Sequence, residues 1–337
     1  MIAGMSSTPV RFAILGFGLH AERRLIPAFR NCKDAVLVGI WRRDREVGAK
    51  NCLAHGIQHC FASAEALCAS SEVDVVFITS PDAMHLADSL LAISKGKAVL
   101  CEKPLAMNAE EARTIVAAAA AAGVFFGVGQ NFRFNHSVEW MREQIVAGKI
   151  GRPQLAHAQY CYPVKNSARK WVTNPELATG GPIADVGVHC IDTLRFLLGE
   201  EVTSISTLGH SDEASDRVEA IAALQVAMTG GVYANVTASG RAPYRTLIEV
   251  TGSDGVLIAE NGFAVDRPVE IVLRRGGDLV ESVTVYNEDG YTRMLDAFAA
   301  TFRGAGTFTP TGFDALHNMR AVDAAYESLR SGAREIL

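Results

Sequence analysis

Over its first 130 residues the chain alternates short, unbroken apolar runs with stretches of helix length, and this alternation leaves few folds open. The runs are Val10–Leu15, Val36–Trp41, Val73–Thr79, Ala98–Cys101 and Val124–Val128. Between them lie His20–Arg30, Arg45–His55, Ala83–Lys95 and Ala109–Ala122. A strand that is apolar on both faces must be covered on both, as in a parallel sheet flanked by helices. Asn108 ahead of Glu110 and Glu111 predicts an N-cap, and Gly123 predicts a stop, so one helix is bounded at both ends.

Beyond residue 130 the texture changes. Phe134–Ala147 reads as a helix, Gln154–Val164 as an extended segment, and Ile183–Leu198 as a strong helix ended by Gly199. Strand-like runs follow at 202–208, 220–228, 232–238, 246–251, 255–259, 269–274 and 280–285. Glycine turns such as Thr229-Gly-Gly231 and Arg275-Gly-Gly-Asp278 separate them, which predicts antiparallel hairpins. Two helices, Tyr291–Arg303 and Phe313–Ser331, come last. The fold class expected is therefore α/β followed by α+β. A Rossmann dinucleotide-binding domain takes residues 1–130, and an α+β domain with a large, mostly antiparallel sheet takes 131–337.

Composition narrows the function. The 32 Lys and Arg stand against 37 Asp and Glu, a net charge of −5 that is no electrostatic footprint for nucleic acid or an anionic membrane. Seven scattered cysteines without a Cys-x-x-Cys pair point to reduced packing residues, and no cysteine–histidine spacing suits a zinc site. Residues 1–9 show no basic start or apolar core of a secretory signal. Ile115–Val128, the longest candidate for a membrane span, is broken by Gly123 and Gly127 and falls short of about 20 apolar residues. The expectation is a cytoplasmic protein with a small-molecule partner, no metal and no membrane.

The first strand runs straight into Gly16-Phe17-Gly18-Leu19-His20-Ala21 and then into a helix pattern. Gly16 permits a tight turn, Gly18 lets backbone approach a pyrophosphate, and Ala21 is small enough for close helix packing. Such a turn at the start of a βαβ unit predicts dinucleotide binding. An acid that would hold a ribose 2′-hydroxyl is expected about 20 residues on. Here the second strand ends Trp41-Arg42-Arg43-Asp44, with Asp44 placed to cap the next helix. A guanidinium gains charge-assisted bonds from a 2′-phosphate and not from a hydroxyl, so NADP(H) is expected over NAD(H).

Two segments carry residues suited to chemistry. The strand at 98–101 ends in Glu102-Lys103-Pro104, at the carboxyl edge where open α/β sheets bind ligands. Gly180-Gly-Pro-Ile-Ala-Asp185-Val-Gly-Val-His189-Cys-Ile-Asp192 sets Asp185 and His189 four apart on one helix, with Asp192 three further on. A histidine with carboxylate neighbours suits general acid–base work near neutral pH. The same spacing also suits a metal site or a capped helix.

Taken in order, these motifs resemble the glucose–fructose oxidoreductase/inositol dehydrogenase/MocA (Gfo/Idh/MocA) family of pyridine-nucleotide oxidoreductases. The resemblance covers nearly the whole chain. It includes the glycine turn, Ser80-Pro-Asp-Ala-Met-His85, Glu102-Lys103-Pro104, Gly148-x-x-Gly151-x-Pro153 and Asp185-x-Gly187-x-His189-x-x-Asp192. It implies that Lys103, Asp185 and His189 are the catalytic set. His189 would exchange a proton with the substrate oxygen, Lys103 would polarise that oxygen, and Asp185 would orient substrate or assist the relay. It also implies that Ser80, Pro81, His85 and Glu102 line the cofactor with Lys103, and that the peptide before Pro104 is cis. Relatives commonly carry Asn where this chain has Asp82, and an acid there also suits a helix cap.

Other positions stay open between two roles. Arg133 meets substrate or makes an interdomain salt bridge. Trp171, beside Arg169 and Lys170, is a sugar-stacking platform or a core anchor. Tyr160 and Tyr162 share a face that belongs to the pocket or to a subunit contact. In the family the open face of the sheet joins subunits, which implies a homodimer or homotetramer. The leading expectation is an NADP-dependent oxidoreductase moving hydride to or from a carbohydrate-like alcohol or carbonyl. An NAD-dependent polyol or inositol dehydrogenase, and a non-catalytic NADP-binding regulator of the same fold, are the alternatives.

Overall fold

The computed structural model describes residues 8–211 and 218–337; of the segment read above for a leader, residues 1–9, the first seven lie outside the described residues. Six parallel strands form the first sheet: β1 (Val10–Leu15), β2 (Ala35–Trp41), β3 (His59–Cys60), β4 (Val75–Ile78), β5 (Ala98–Cys101) and β6 (Phe126–Val128). Their order, β3-β2-β1-β4-β5-β6, reverses between β1 and β4. That is the doubly wound Rossmann arrangement, and ligands bind beyond the carboxyl ends of the strands at such a reversal. Phe12, Ile14, Leu15, Ile40, Phe77 and Ile78 are fully buried, as two covered faces require.

The helices of this sheet are α1 (Ile26–Asn31), α2 (Arg45–His55), α3 (Ala64–Ala69), α4 (His85–Ser94) and α5 (Ala109–Ala122). Asp44 caps α2 by accepting from the Val47 amide at 3.0 Å, and Gly123 closes α5 in the left-handed region. The turn after β4 is the 3-10 segment Asp82–Met84, with Pro81 at its cap position. Ahead of α1, Ala21–Leu25 forms a π-turn rather than a plain α-helical start.

The second sheet has nine strands. They are β7 (Pro153–Cys161), β8 (Val202–His210), β9 (Ile221–Met228), β10 (Tyr233–Ser239), β11 (Arg245–Gly252), β12 (Val256–Glu260), β13 (Val269–Arg275), β14 (Asp278–Val285) and β15 (Glu335–Ile336). The order is β14-β13-β12-β11-β7-β10-β9-β8-β15. Every pairing is antiparallel except β10 with β7. Along β9 and β10 one face is buried through Leu224, Val226, Ala234 and Val236, while Ala223, Gln225, Tyr233 and Asn235 face outward. The remaining helices are α6 (His136–Val146), α7 (Val188–Leu198), α8 (Gly290–Phe302) and α9 (Gly312–Ser331).

The chain divides into two compact units. One takes residues up to Ala106, Glu110–Gly129 and Tyr291–Leu316; the other takes Met107–Ala109, Gln130–Gly290 and His317–Leu337. Most of α8 therefore packs with the first sheet, where Phe298 is fully buried against Phe12, Phe125 and Phe308.

Candidate active site

In the N-terminal unit, Gly16 sits at φ +91°, and a Cβ there would lie 2.5 Å from the Ser80 backbone nitrogen. Only glycine fits, because the loop after β1 presses directly on the loop after β4. The amides of Gly16 and Phe17 donate to the Trp41 carbonyl at 3.1 and 3.0 Å, and Thr79 Oγ1 donates to the Gly16 carbonyl. The turn is thus fastened to the ends of β2 and β4. Gly18 has no neighbour closer than 3.7 Å to an added Cβ, which keeps one side of the turn open. Phe17 is buried beside His55. Leu19 and His20 are half-buried.

At the end of β2, Arg42 Nη1 donates to Asn51 Oδ1 of α2 at 3.3 Å, and Arg43 is exposed. Among the described residues neither guanidinium is neutralised by a carboxylate. Both guanidinium groups therefore keep their charge for an anion.

The other residues implied to line the cofactor brace one another. Ser80 Oγ donates to Asp88 at 2.6 Å, and Pro81 is half-buried in extended backbone. Both His85 ring nitrogens meet carbonyls at 2.9 Å, those of Pro104 and Ser80. Two acceptors need two N–H donors, hence an imidazolium. Burial opposes that charge, but Cys101, Asp82 and the Pro104 carbonyl outweigh it and raise the His85 pKa to about 10. His85 therefore ties the loop after β4 to the loop after β5. The bond between Lys103 and Pro104 is cis. Glu102 accepts from the Lys103 amide at 3.2 Å and meets His20 Nε2 at 3.1 Å. Burial works to raise its carboxyl, yet His20 and Lys103 hold it below the usual carboxylate range.

In the C-terminal unit, Asp185 lies on a π-turn, Ile183–Gly187, that runs into α7 one residue before His189. π-turns recur at functional sites because they re-aim side chains. The Tyr162 hydroxyl donates to Asp185 Oδ2, and Arg169 Nη2 reaches the same carboxylate at 3.3 Å. Burial, and then the Asp185 charge, push the Tyr162 hydroxyl well up, so it stays protonated. His189 is buried, with Nδ1 3.2 Å from Gln130 Oε1 and its ring packed between Phe132 and Tyr160. The amide oxygen fixes the proton on Nδ1 and leaves Nε2 as the basic nitrogen. Tyr160 and Tyr162, 6.4 Å apart, thus both turn toward the segment that bears Asp185 and His189.

Asp192 is not a partner of His189 in this arrangement. Its carboxylate accepts from Arg133 Nε and Nη2 at 2.8 and 2.6 Å and from Asn318 at 2.8 Å. Asn318 in turn accepts from Arg195, which forks onto Glu201. The salt bridge of Arg133 is therefore internal to the C-terminal unit, and it is a buried support of α7. Trp171 is half-buried on the 3-10 turn Lys170–Thr173 and is no core anchor. Gln130 and Asn318 carry no sequence signal; only their buried amides against His189 and Asp192 mark them.

Two family models match the chain in succession. Residues 10–130 match an oxidoreductase family with an NAD-binding Rossmann fold, and residues 138–258 match the GFO/IDH/MocA C-terminal domain. A 1,5-anhydro-D-fructose reductase from Ensifer adhaerens is 31% identical over 324 residues, 96% of this chain and 97% of that protein. The chain belongs to the GFO/IDH/MocA oxidoreductase family. An NADP-dependent D-xylose 1-dehydrogenase of Haloferax volcanii is 28% identical over 96% of this chain and 98% of its own length. Among solved structures, an aldose–aldose oxidoreductase from Caulobacter crescentus superposes with a TM-score of 0.89 at 22% identity, covering 98% and 100% of the two chains. An NAD-bound inositol dehydrogenase homologue from Azotobacter vinelandii gives 0.87 at 20% identity and 98% of each chain. These neighbours carry the fold of a GFO/IDH/MocA enzyme, a Rossmann unit followed by a mostly antiparallel sheet. Among the described residues no helix is long and apolar enough to cross a membrane.

Proposed function

We propose that the protein is an NADP-dependent oxidoreductase acting on a hydroxyl-bearing carbon, or the corresponding carbonyl, of a carbohydrate-like substrate. The observation that carries this reading is the buried imidazole of His189, its Nδ1 proton held by Gln130 and its helix start shared with Asp185. Bound nicotinamide dinucleotide supplies or accepts the hydride. Gly16, Gly18, the Phe17 backbone and Arg42–Arg43 bind it, with Ser80, Pro81, Glu102 and the Lys103 backbone as further lining. In the oxidative direction His189 Nε2 takes the hydroxyl proton, and Lys103 stabilises charge developing on that oxygen. Asp185, fixed by Tyr162 and Arg169, orients neighbouring hydroxyls. The relatives named above act on anhydrofructose and xylose, which supports a sugar or anhydro-sugar.

A second reading, an NAD-dependent polyol dehydrogenase, is favoured by the NAD-bound inositol dehydrogenase homologue. Arg42→Asp separates the two. Under the NADP reading it weakens NADP binding by about tenfold to a hundredfold, the worth of a charge-assisted contact, and leaves NAD binding nearly unchanged. Equal losses for both dinucleotides, read by fluorescence titration, would refute the NADP preference.

Its assembly is proposed to be a homodimer or homotetramer built through the outer face of the second sheet. Leu155, Leu208 and Tyr233 there are 55%, 80% and 65% exposed, and β7, β10, β9 and β8 run side by side beneath them. Such a patch on a sheet without covering helices favours self-association. Sedimentation should give a dimer or tetramer mass; a monomer at all concentrations refutes it. The seven cysteines, all unpaired, support a reducing compartment such as the cytoplasm.

A further inference from the structure

Within the C-terminal unit a cavity of about 150 Å³ opens beside Asp185. The loop leaving β7, the Gly180-Gly-Pro turn and the ends of β9 and β10 wall it. Val164, Val172, Pro175 and Pro182 give apolar surface, and the bonded pair Tyr162 and Asp185 gives polar atoms. His189 takes no part in this wall, so the space is additional to whatever a carbinol needs at the imidazole.

The floor of the cavity is rigid and its charge is muted. Glu219 is buried, and its carboxylate accepts from the Gly181 and Ile183 amides at 3.0 and 2.5 Å. A Cβ on Gly181 would strike the Glu219 carbonyl, so turn and strand end are in direct contact. Burial pushes the Glu219 carboxyl up, and Arg169 offsets Asp185 on the other side. With no cation among its lining residues, the cavity offers a phosphate or carboxylate no counter-charge and disfavours both. A space near 150 Å³ with apolar walls accepts one six-membered ring.

We propose that this cavity is a second-ring subsite, so that the substrate is a neutral glycoside whose ring-sized aglycone lies there, rather than a free monosaccharide or a sugar phosphate. The proposal rests on the carbohydrate reading above and adds the part of the substrate remote from the reacting carbon. Binding energy at such a remote group serves orientation at the reacting one.

Matched substrates test it: free aldoses, their methyl glycosides, their phenyl glycosides and their 6-phosphates, each assayed with NADP. The phenyl glycoside should exceed the methyl glycoside in kcat/KM by about tenfold or more, the worth of burying one ring. The 6-phosphates should be poorer than the free sugars. Val164→Phe and Ala220→Phe, each checked for folding by thermal melting, should each collapse the phenyl-to-methyl ratio toward one by filling the space. Equal values in the wild type, or a ratio that survives both variants, overturns the subsite. If nothing in the panel turns over, the carbohydrate reading itself fails, and calorimetry of phenyl glycosides with the NADPH-loaded protein decides the subsite separately. Binding that is lost in Val164→Phe supports the subsite, and no binding overturns it.

Discussion

Lys103→Met and His189→Ala should each cut turnover by about a hundredfold to ten-thousandfold while leaving NADP affinity within about twofold. The expectation for His189 follows from its tautomer. With Nδ1 against the Gln130 amide oxygen, Nε2 is the nitrogen able to take a proton, and nothing replaces it once the ring is gone. Gln130→Leu tests the same point from behind. It keeps the imidazole but frees the ring to flip, and turnover should fall about tenfold with a shifted pH profile. The expectation for Lys103 follows from its backbone, pinned through its amide to Glu102, a carboxylate that His20 also contacts. Affinity for the dinucleotide should persist because the glycine turn is fastened to Trp41 and Thr79, independently of both residues. Turnover near wild type on the true substrate in either variant would remove that residue from the chemistry.

How much of this was legible depended on whether a feature was local. The strands of the first sheet announce themselves because burial on both faces leaves unbroken apolar runs, and the glycine turn because its backbone demands are met by few residues. β3, with two residues, and α3, with six, are too short to carry a period, and neither was readable. The place of α8 was hidden for another reason. Its amphipathic pattern is clear, but that Phe298 packs on Phe12 rather than on the second sheet is a matter of long-range partners. Of the residues proposed for the chemistry, Lys103, Asp185 and His189 were marked by motifs. Gln130 and Asn318 were not, since a single amide has no spacing to betray it. Asp192 shows the opposite error: its place one turn after His189 suggested a catalytic neighbour, and Arg133, 59 residues earlier, claims it instead.

That claim makes Arg133 and Asp192 the pair whose disruption should cost most in stability. Their side chains are 5% and 2% exposed, so neither charge has water to fall back on. Removing one partner leaves the other buried and underpaid, which typically costs about 3–5 kcal/mol. Arg133→Met strands Asp192 with Asn318 and a more distant Arg195, 3.8 Å away. Asp192→Leu takes from the buried Arg133 guanidinium, which lies over the Phe196 ring, the carboxylate that accepts from its Nε and Nη2. The double variant Arg133→Met/Asp192→Leu removes both charges at once and should recover most of the loss, giving a coupling of about 2–3 kcal/mol in a double-mutant cycle. Denaturant unfolding reads all three, and singles within 1 kcal/mol of wild type, or a double that is merely additive, would refute the pair's role. The functional consequence separates support from chemistry. Because Asp192 lies on α7 one turn beyond His189, each single variant should also lower kcat, and the double should regain activity along with stability. A directly catalytic Asp192 would instead leave the double as inactive as Asp192→Leu, so the recovery of turnover decides between the two roles.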